Sequence, residues 1–309
     1  MLQQTRVETV VPYWTRFLEA FPTVDALADA PLDAVLAQWS GLGYYRRARL
    51  LHRGAQVVAR ELGAVPRTAE GLRAVPGIGA YTAGAIASIA FGEAAPLVDG
   101  NVARVLCRVF AIDLDPKSAA GARAIWARAG ELVVGEDPGS FNQALMELGA
   151  TVCTPRTPRC TECPIRGSCI ARATERVAEL PKVAPRSAPK AQRRLAIVAT
   201  RGDEVLFGRR RDELVFGGLW EPPTCDPAEG AASLGIELAD ARSAGTVRHV
   251  LSHRALSVRV LVGRLASRPS AARGPEHERF RMLDHDAIGD VGISTLARKI
   301  LARAGWPGA

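Results

Sequence analysis

The 309-residue sequence contains no apolar run approaching the roughly 20 residues needed to cross a bilayer, which argues against a membrane-spanning helix. Its opening, Met1-Leu2-Gln3-Gln4-Thr5-Arg6-Val7-Glu8, has no charged, apolar, cleavable leader, so secretion is not expected. Acidic residues are too few to balance the basic ones. The 32 Asp and Glu against 40 Lys and Arg leave a net charge of +8, which favours polyanionic partners. Cysteines number only six, four of them bunched between positions 153 and 169, with Cys107 and Cys225 apart. That is the usage of a cytosolic metal protein and excludes a disulfide scaffold.

Strand-like alternation is also missing before the cysteines, so the first part reads as all-helical. Val7, Val10, Val11, Trp14, Phe17, Leu18 and Phe21 recur at helical spacing, with Pro12 expected to open a new segment. Further helices are expected over residues 24–28, 32–39, 45–62, 119–134 and 140–149. The most informative stretch is Pro76-Gly77-Ile78-Gly79. Its glycines permit φ > 0 and close approach of another backbone. A helix over 81–91 would aim its first N–H groups outward as an anion site. Asp99 follows in Val98-Asp99-Gly100-Asn101, before a second helix starting near Val102. Read singly, the hairpin is any helix–helix turn and the aspartate an N-cap.

Leu72, Val75, Pro76, Gly77, Ile78, Gly79, Thr82, Ala83 and Ala85 together resemble the helix–hairpin–helix DNA glycosylase superfamily. The resemblance implies a catalytic aspartate at Asp99, and phosphate contacts at Gly77 and Gly79.

Cys153, Cys160, Cys163 and Cys169 are spaced C-x6-C-x2-C-x5-C. Four thiolates from one short loop suit a [4Fe–4S] cluster or a structural zinc, and spacing alone leaves both open. The spacing resembles the iron–sulfur loop of the endonuclease III and MutY branch, which implies the cluster. Arg156, Arg159 and Arg166 stud this loop, either placed against phosphates or simply solvated. Residues 181–194 hold prolines and bases without an acid, as an extended linker close to DNA would. Strands are then expected over 195–200, 204–209, 244–250 and 256–265, with a closing helix over 294–304, making an α+β domain.

Phe216-Gly217-Gly218-Leu219-Trp220-Glu221-Pro222-Pro223 resembles the strand-turn of Nudix domains. The Arg-Glu and Glu-Glu pairs that hold Mg²⁺ in Nudix hydrolases do not follow it. The fold is therefore expected to serve recognition, as in MutY-type adenine DNA glycosylases. The expected architecture is multidomain: a helix–hairpin–helix glycosylase domain with its iron–sulfur loop over 1–175, a basic linker over 176–194, and a Nudix-like domain over 195–309.

Within that family the resemblance carries further. Tyr81 stands where bifunctional relatives carry a Schiff-base lysine, so base removal without backbone cleavage is implied. Gln4, Thr5, Leu42 and Tyr44 match segments that wedge into the duplex around 8-oxoguanine. Gln143 matches a side chain that bonds the extruded adenine. Ser252 and His253 match the polar pair of a loop that inspects 8-oxoguanine, Leu251 replacing its aromatic. Asp99 would stabilise the cationic sugar, with Asn101 and Tyr81 orienting it or the water.

The family's general acid lies in Glu-Val-Met-Leu-Gln-Gln-Thr, and this chain starts at the Met of that motif. Little or no glycosylase activity is therefore expected of the 309 residues as written. The expected partner is double-stranded DNA holding adenine opposite 8-oxoguanine or guanine, bound by a cytoplasmic, nucleoid-associated monomer. Two alternatives stand beside this reading: a mismatch-binding form without catalysis, and a related iron–sulfur glycosylase acting on thymine or uracil mismatches.

Overall fold

The structure is a computed structural model, and it describes residues 1–2, 5–184, 188–266 and 275–306. Along the chain come α1 (Val7–Ala20), α2 (Val24–Asp29), α3 (Leu32–Gln38) and α4 (Arg46–Val57). They are followed by α5 (Ala69–Arg73), α6 (Ala80–Phe91), α7 (Gly100–Val109), α8 (Ala119–Leu132), α9 (Pro138–Glu147) and α10 (Ile170–Ala173). The C-terminal part holds β1 (Lys190–Arg201), β2 (Glu204–Arg210), β3 (Trp220–Glu221), β4 (Thr224–Cys225), β5 (Leu238–Val250), β6 (Arg254–Leu265) and β7 (His277–Leu283). Helices α11 (His285–Gly289) and α12 (Thr295–Ala304) close the chain.

Local chemistry starts most of these helices. Thr23, Thr68, Ser118, Asp137 and Ser294 each accept a backbone N–H from the first turn of the helix they precede. Pro138 opens α9 at a position where its missing N–H costs nothing. One expectation fails here: α1 runs unbroken through Pro12. The proline and Glu8, whose carbonyl loses its donor, are both exposed, so that carbonyl is not stranded in the core.

Two compact units result, Arg60–Arg186 and the combination of Met1–Ala59 with Ser187–Ala309. In the first, Leu97, Val102, Val105, Leu106, Ile125 and Leu145 form a core among α7, α8 and α9. A smaller cluster of Leu72, Ala83, Ala87 and Ala95 seats α5 against α6.

In the second unit, strands run in the order β3-β2-β1-β6-β5, with β4 paired to β1 and β7 to β2. The β1–β6 pair is parallel and the others antiparallel. Val258, Val260 and Phe207 pack with Leu296, Ile300 and Leu301 of α12 in one core. Leu195, Ile197 and Leu206 pack with Leu234 and Ile236 in a separate one. The mixed helix and strand content agrees with the expected α+β character.

Three differences from expectation are instructive. Strand β1 begins at Lys190, inside the stretch expected to be linker, because it pairs with β6 from Arg254 onward. The short strands β3 and β4 and the charged strand β7 carry too little apolar alternation to be read locally. Residues 1–59, expected with the hairpin domain, instead share a compact unit with the sheet. Leu219 of the sheet domain joins the core of Phe17, Leu36 and Trp39.

Candidate active site and iron–sulfur loop

The hairpin forms as its glycines suggest. Gly77 takes φ +88°, and Gly79 precedes α6 in extended conformation with no side chain capping the helix. A helix start without a side-chain cap favours an anionic ligand. After α6 ends on left-handed Gly92, the chain returns along the helix. A Cβ on Gly84 would stand 2.0 Å from the Pro96 carbonyl oxygen, so only glycine admits this approach. The buried Asn142 amide donates to Ser88 Oγ and to the Ala95 carbonyl, both at 2.9 Å, tying α9 to α6 and to the returning segment.

That segment delivers Asp99 to the start of α7. Its Oδ1 accepts from Val102 N–H at 2.7 Å, and its Oδ2 from Asn101 Nδ2 at 3.2 Å. Asp99 is thus an N-cap, as the bland reading has it, and also a half-buried carboxylate with both oxygens oriented. Tyr81, second residue of α6, donates its hydroxyl to Met146 Sδ at 3.7 Å. Burial, and then the negative charge of Asp99, push the Tyr81 hydroxyl above its ordinary pKa. It stays a protonated phenol at neutral pH, a hydrogen-bond donor and not a base. Gln143 is exposed, its Nε2 donating to Gly139 O at 3.3 Å. Three residues from Met146 on α9, it lies on the same helical face as Tyr81's partner.

Two arginines that sequence reasoning passed over hold this region together. Arg104 Nη2 donates to Asn101 Oδ1 at 2.9 Å and to Gly149 O at 2.8 Å, while its Nε donates to Cys153 O at 2.7 Å. Arg108 donates to the carbonyls of Leu180, Thr154 and Pro155 and to Cys153 Sγ at 3.3 Å. Both sit on α7, four residues apart and nearly buried. A buried arginine at helical spacing was the signal available, since such a cation must be satisfied by carbonyls or carboxylates.

Cys153 ends a π-helical turn, Leu148–Val152, and its N–H reaches the Leu148 carbonyl at 2.7 Å. Cys153, Cys160, Cys163 and Cys169 line one cavity, together with Val105 and Arg108. Burial pushes the Cys160 thiol up, and the other three cysteines add to the shift. Four thiols lining one cavity are a donor set that fits an iron–sulfur cluster, in which each thiolate holds its own iron. Arg159 is paired with Glu162 at 3.1 Å, and Arg156 and Arg166 are exposed.

The remaining candidates lie in the other unit. Gln4 is outside the described residues. Thr5 Oγ1 accepts from Arg47 Nη2 at 3.3 Å, and the Arg47 guanidinium lies 5.3 Å from the Tyr44 ring centroid. Arg47, unnoticed in the sequence, thereby brings Thr5 and Tyr44 together. Tyr44 is 53% exposed and left-handed, with φ +49°. Leu42, expected to protrude as a wedge, is only 6% exposed and belongs to the core of Leu36, Trp39 and Tyr45. Its side chain gains more from that core than a turn position suggested. Ser252 and His253 are exposed in the turn between β5 and β6, while Leu251 packs against the core beneath. Glu221 is fully committed: Arg210 Nη1 and Thr224 Oγ1 donate to it at 2.7 and 2.8 Å, beside His277 Nε2 at 3.2 Å.

Comparison with known proteins places three segments of the chain in known families. Residues 1–129 match the HhH-GPD superfamily of base excision DNA repair proteins, 153–169 the iron–sulfur binding domain of endonuclease III, and 194–303 the Nudix domain. A thermostable thymine-DNA glycosylase structure superposes with a TM-score of 0.51 at 29% identity, covering 56% of this chain and 80% of that one. The fold and site therefore define a helix–hairpin–helix DNA glycosylase with an iron–sulfur loop and a Nudix-like domain.

Adenine DNA glycosylases from Homo sapiens and Mus musculus are 37% and 38% identical over 97% of this chain. The chain spans 66% and 69% of their respective lengths. It belongs to the adenine DNA glycosylase family, and its cofactor is a [4Fe–4S] cluster. No helix among the described residues is long and apolar enough to cross a membrane.

Proposed function

We propose that this chain binds duplex DNA containing adenine opposite 8-oxoguanine or guanine through a site built to hydrolyse the adenine N-glycosidic bond and leave an abasic site, with little or no turnover by the 309 residues as written. The observation that carries the reading is Asp99: a carboxylate oriented by Val102 N–H and Asn101, following a phosphate-ready hairpin, with a tyrosine at position 81. A carboxylate held this way stabilises positive charge developing at C1′ as the base departs. Departure of adenine also needs a proton at N7 of the ring, and no acid placed to give it is identified among the described residues, so little or no turnover is expected of the 309 residues as written. Asn101, itself fixed by Arg104, keeps Asp99 from rotating away. Tyr81 supplies a hydroxyl and no amine, so no imine to the sugar forms and the backbone stays intact.

The α6 N-terminus behind Gly77 and Gly79 takes a phosphate, and Gln143 contacts the extruded adenine. Cys153, Cys160, Cys163 and Cys169 hold the cluster, which cross-links the 153–169 loop and so fixes its basic side chains. Tyr44, Thr5, Ser252 and His253 read the side of the oxidised guanine, each from an exposed or cation-held position in the second unit.

The test is a binding series with adenine release measured alongside it. Affinity is expected to be highest for 8-oxoguanine·A, lower for G·T, and lowest for undamaged A·T duplex. Equal affinities for the three would overturn the reading. Asp99→Asn keeps a good helix cap, so it should fold and bind. Any adenine release seen with the parent chain should fall about 10²–10⁴-fold in this variant, in the range of a lost catalytic carboxyl group.

A further inference from the structure

The turn that presents Tyr44 is bolted to a single backbone oxygen 248 residues away. Tyr45 Oη and Ser40 Oγ both donate to the Ile293 carbonyl at 2.9 Å. The same Tyr45 hydroxyl accepts Gly41 N–H at 3.0 Å. Trp39 Nε1 donates to the Gly43 carbonyl at 3.1 Å, closing the turn from below. Within these ties the backbone is strained: Gly41 and Gly43 have φ +105° and +71°, and Tyr44, with a Cβ, is held at φ +49°. Gly41 is fixed by its φ, which side chains rarely adopt, and a Cβ there would also have to displace the Tyr13 hydroxyl, 2.3 Å away. On the other side, Ile293 is buried and bridges to Trp220, whose N–H bonds the Gly292 carbonyl at 2.9 Å. A Cβ on Gly292 would approach Leu36 Cβ to 2.7 Å.

We infer that Tyr45 and Ser40 are positioning residues that seat the Tyr44 turn on the sheet domain through the Ile293 carbonyl, so that the duplex wedge and the Ser252–His253 reader belong to one body. A non-glycine residue in the left-handed region persists only where its surroundings over-determine it. Here the surroundings are three hydrogen bonds converging on Tyr45 and Ile293. Without them Tyr44 relaxes from its outward pose, and the lesion is met by a reader whose wedge is out of register. Two hydroxyls on one carbonyl also make the device redundant: either alone retains part of the seat.

The inference rests on Tyr44 acting as a wedge, and the experiment separates the two. A duplex carries 2-aminopurine next to 8-oxoguanine opposite adenine, and its fluorescence rise on binding the full 309-residue chain reports unstacking. Amplitudes are read at saturating protein and well below each variant's melting temperature, so a loss of stability alone leaves them unchanged. The parent chain should give a rise that Tyr44→Ala abolishes; no rise from the parent chain sinks the wedge reading and this inference with it. Given that rise, Tyr45→Phe and Ser40→Ala should each lower the amplitude slightly, and the double variant about three- to tenfold, more than the two singles combined. Ser40→Thr, which keeps the hydroxyl, should restore the parent value. A folded double variant with parental amplitude overturns the inference. Should the double variant not fold, Ser40→Ala decides alone, and an unchanged amplitude again overturns it.

Discussion

The two compact units solve opposite problems with the same alphabet. In Arg60–Arg186 the chemistry-bearing groups are half-buried, and buried cations place them: Arg104 fixes Asn101 beside Asp99, and Arg108 gathers the carbonyls around Cys153. In the other unit the groups proposed for recognition stand on exposed turns, and what is buried beneath them is backbone and hydroxyl, as at Tyr45 and Ile293. The proposed catalysis needs a carboxylate that does not move, and the supports of Asp99 are charged and enclosed. The proposed reading of a base edge needs donors and acceptors open to DNA, and Ser252 and His253 are exposed.

The contrast breaks most visibly at Arg108. Replacing it by Met, of similar length, leaves the carbonyls of Leu180, Thr154 and Pro155 without their donor, at about 3–5 kcal/mol for a fully broken buried network. The expected outcome is a lower melting temperature together with faster loss of the iron–sulfur visible absorbance to a chelator. Retention of parental absorbance and melting would show that the loop does not depend on α7.

The sheet domain has one comparable point, Glu221. Burial alone would raise its pKa, but Arg210, and then His277, hold it down to about 2 from an ordinary 4.5. A depressed carboxyl pKa contributes stability that is present above the unfolded value and lost as pH falls through the folded one. That contribution, on the order of 3 kcal/mol, is lost between pH 4.5 and 2. Acid titration followed by circular dichroism should show this loss, and Glu221→Gln should remove the acid dependence while melting lower at neutral pH. A variant with unchanged acid sensitivity would assign the stability elsewhere.

The smallest effect on folding sharpens the contrast from the other end. Ser252→Ala and His253→Ala remove exposed groups, so melting should shift by the equivalent of less than about 0.5 kcal/mol. Preference for the 8-oxoguanine·A duplex over G·A should nevertheless fall in both. A variant that keeps the preference would remove its residue from lesion reading.

Legibility in the sequence followed the range of the forces involved. Gly77 was readable because a positive φ is a local demand that glycine meets. The α7 start was readable from Asp99 alone, one residue capping the next turn. Leu42 was not: an apolar side chain in a glycine turn faces core or solvent depending on what arrives beside it, and Trp39 and Tyr45 arrive. Strand β7 was missed because Glu278, Arg279 and Arg281 mask the apolar positions Phe280 and Met282, and its pairing with β2 lies some seventy residues back in the chain.

By itself the sequence determined the inventory of chemistry: a hairpin for a phosphate, a carboxylate ahead of a helix, four thiols in one loop, a polar pair between two strands. Each is written in a few neighbouring residues, and local conformation follows from them. Tertiary structure alone decided how those parts are held. Arg104 and Arg108 become supports only where distant carbonyls meet them. Tyr45 and Ser40 meet the Ile293 carbonyl beneath the Tyr44 turn only in the folded chain. Residues 1–59 join the sheet rather than the hairpin because buried contacts between distant segments, which no local pattern encodes, outweigh proximity along the chain.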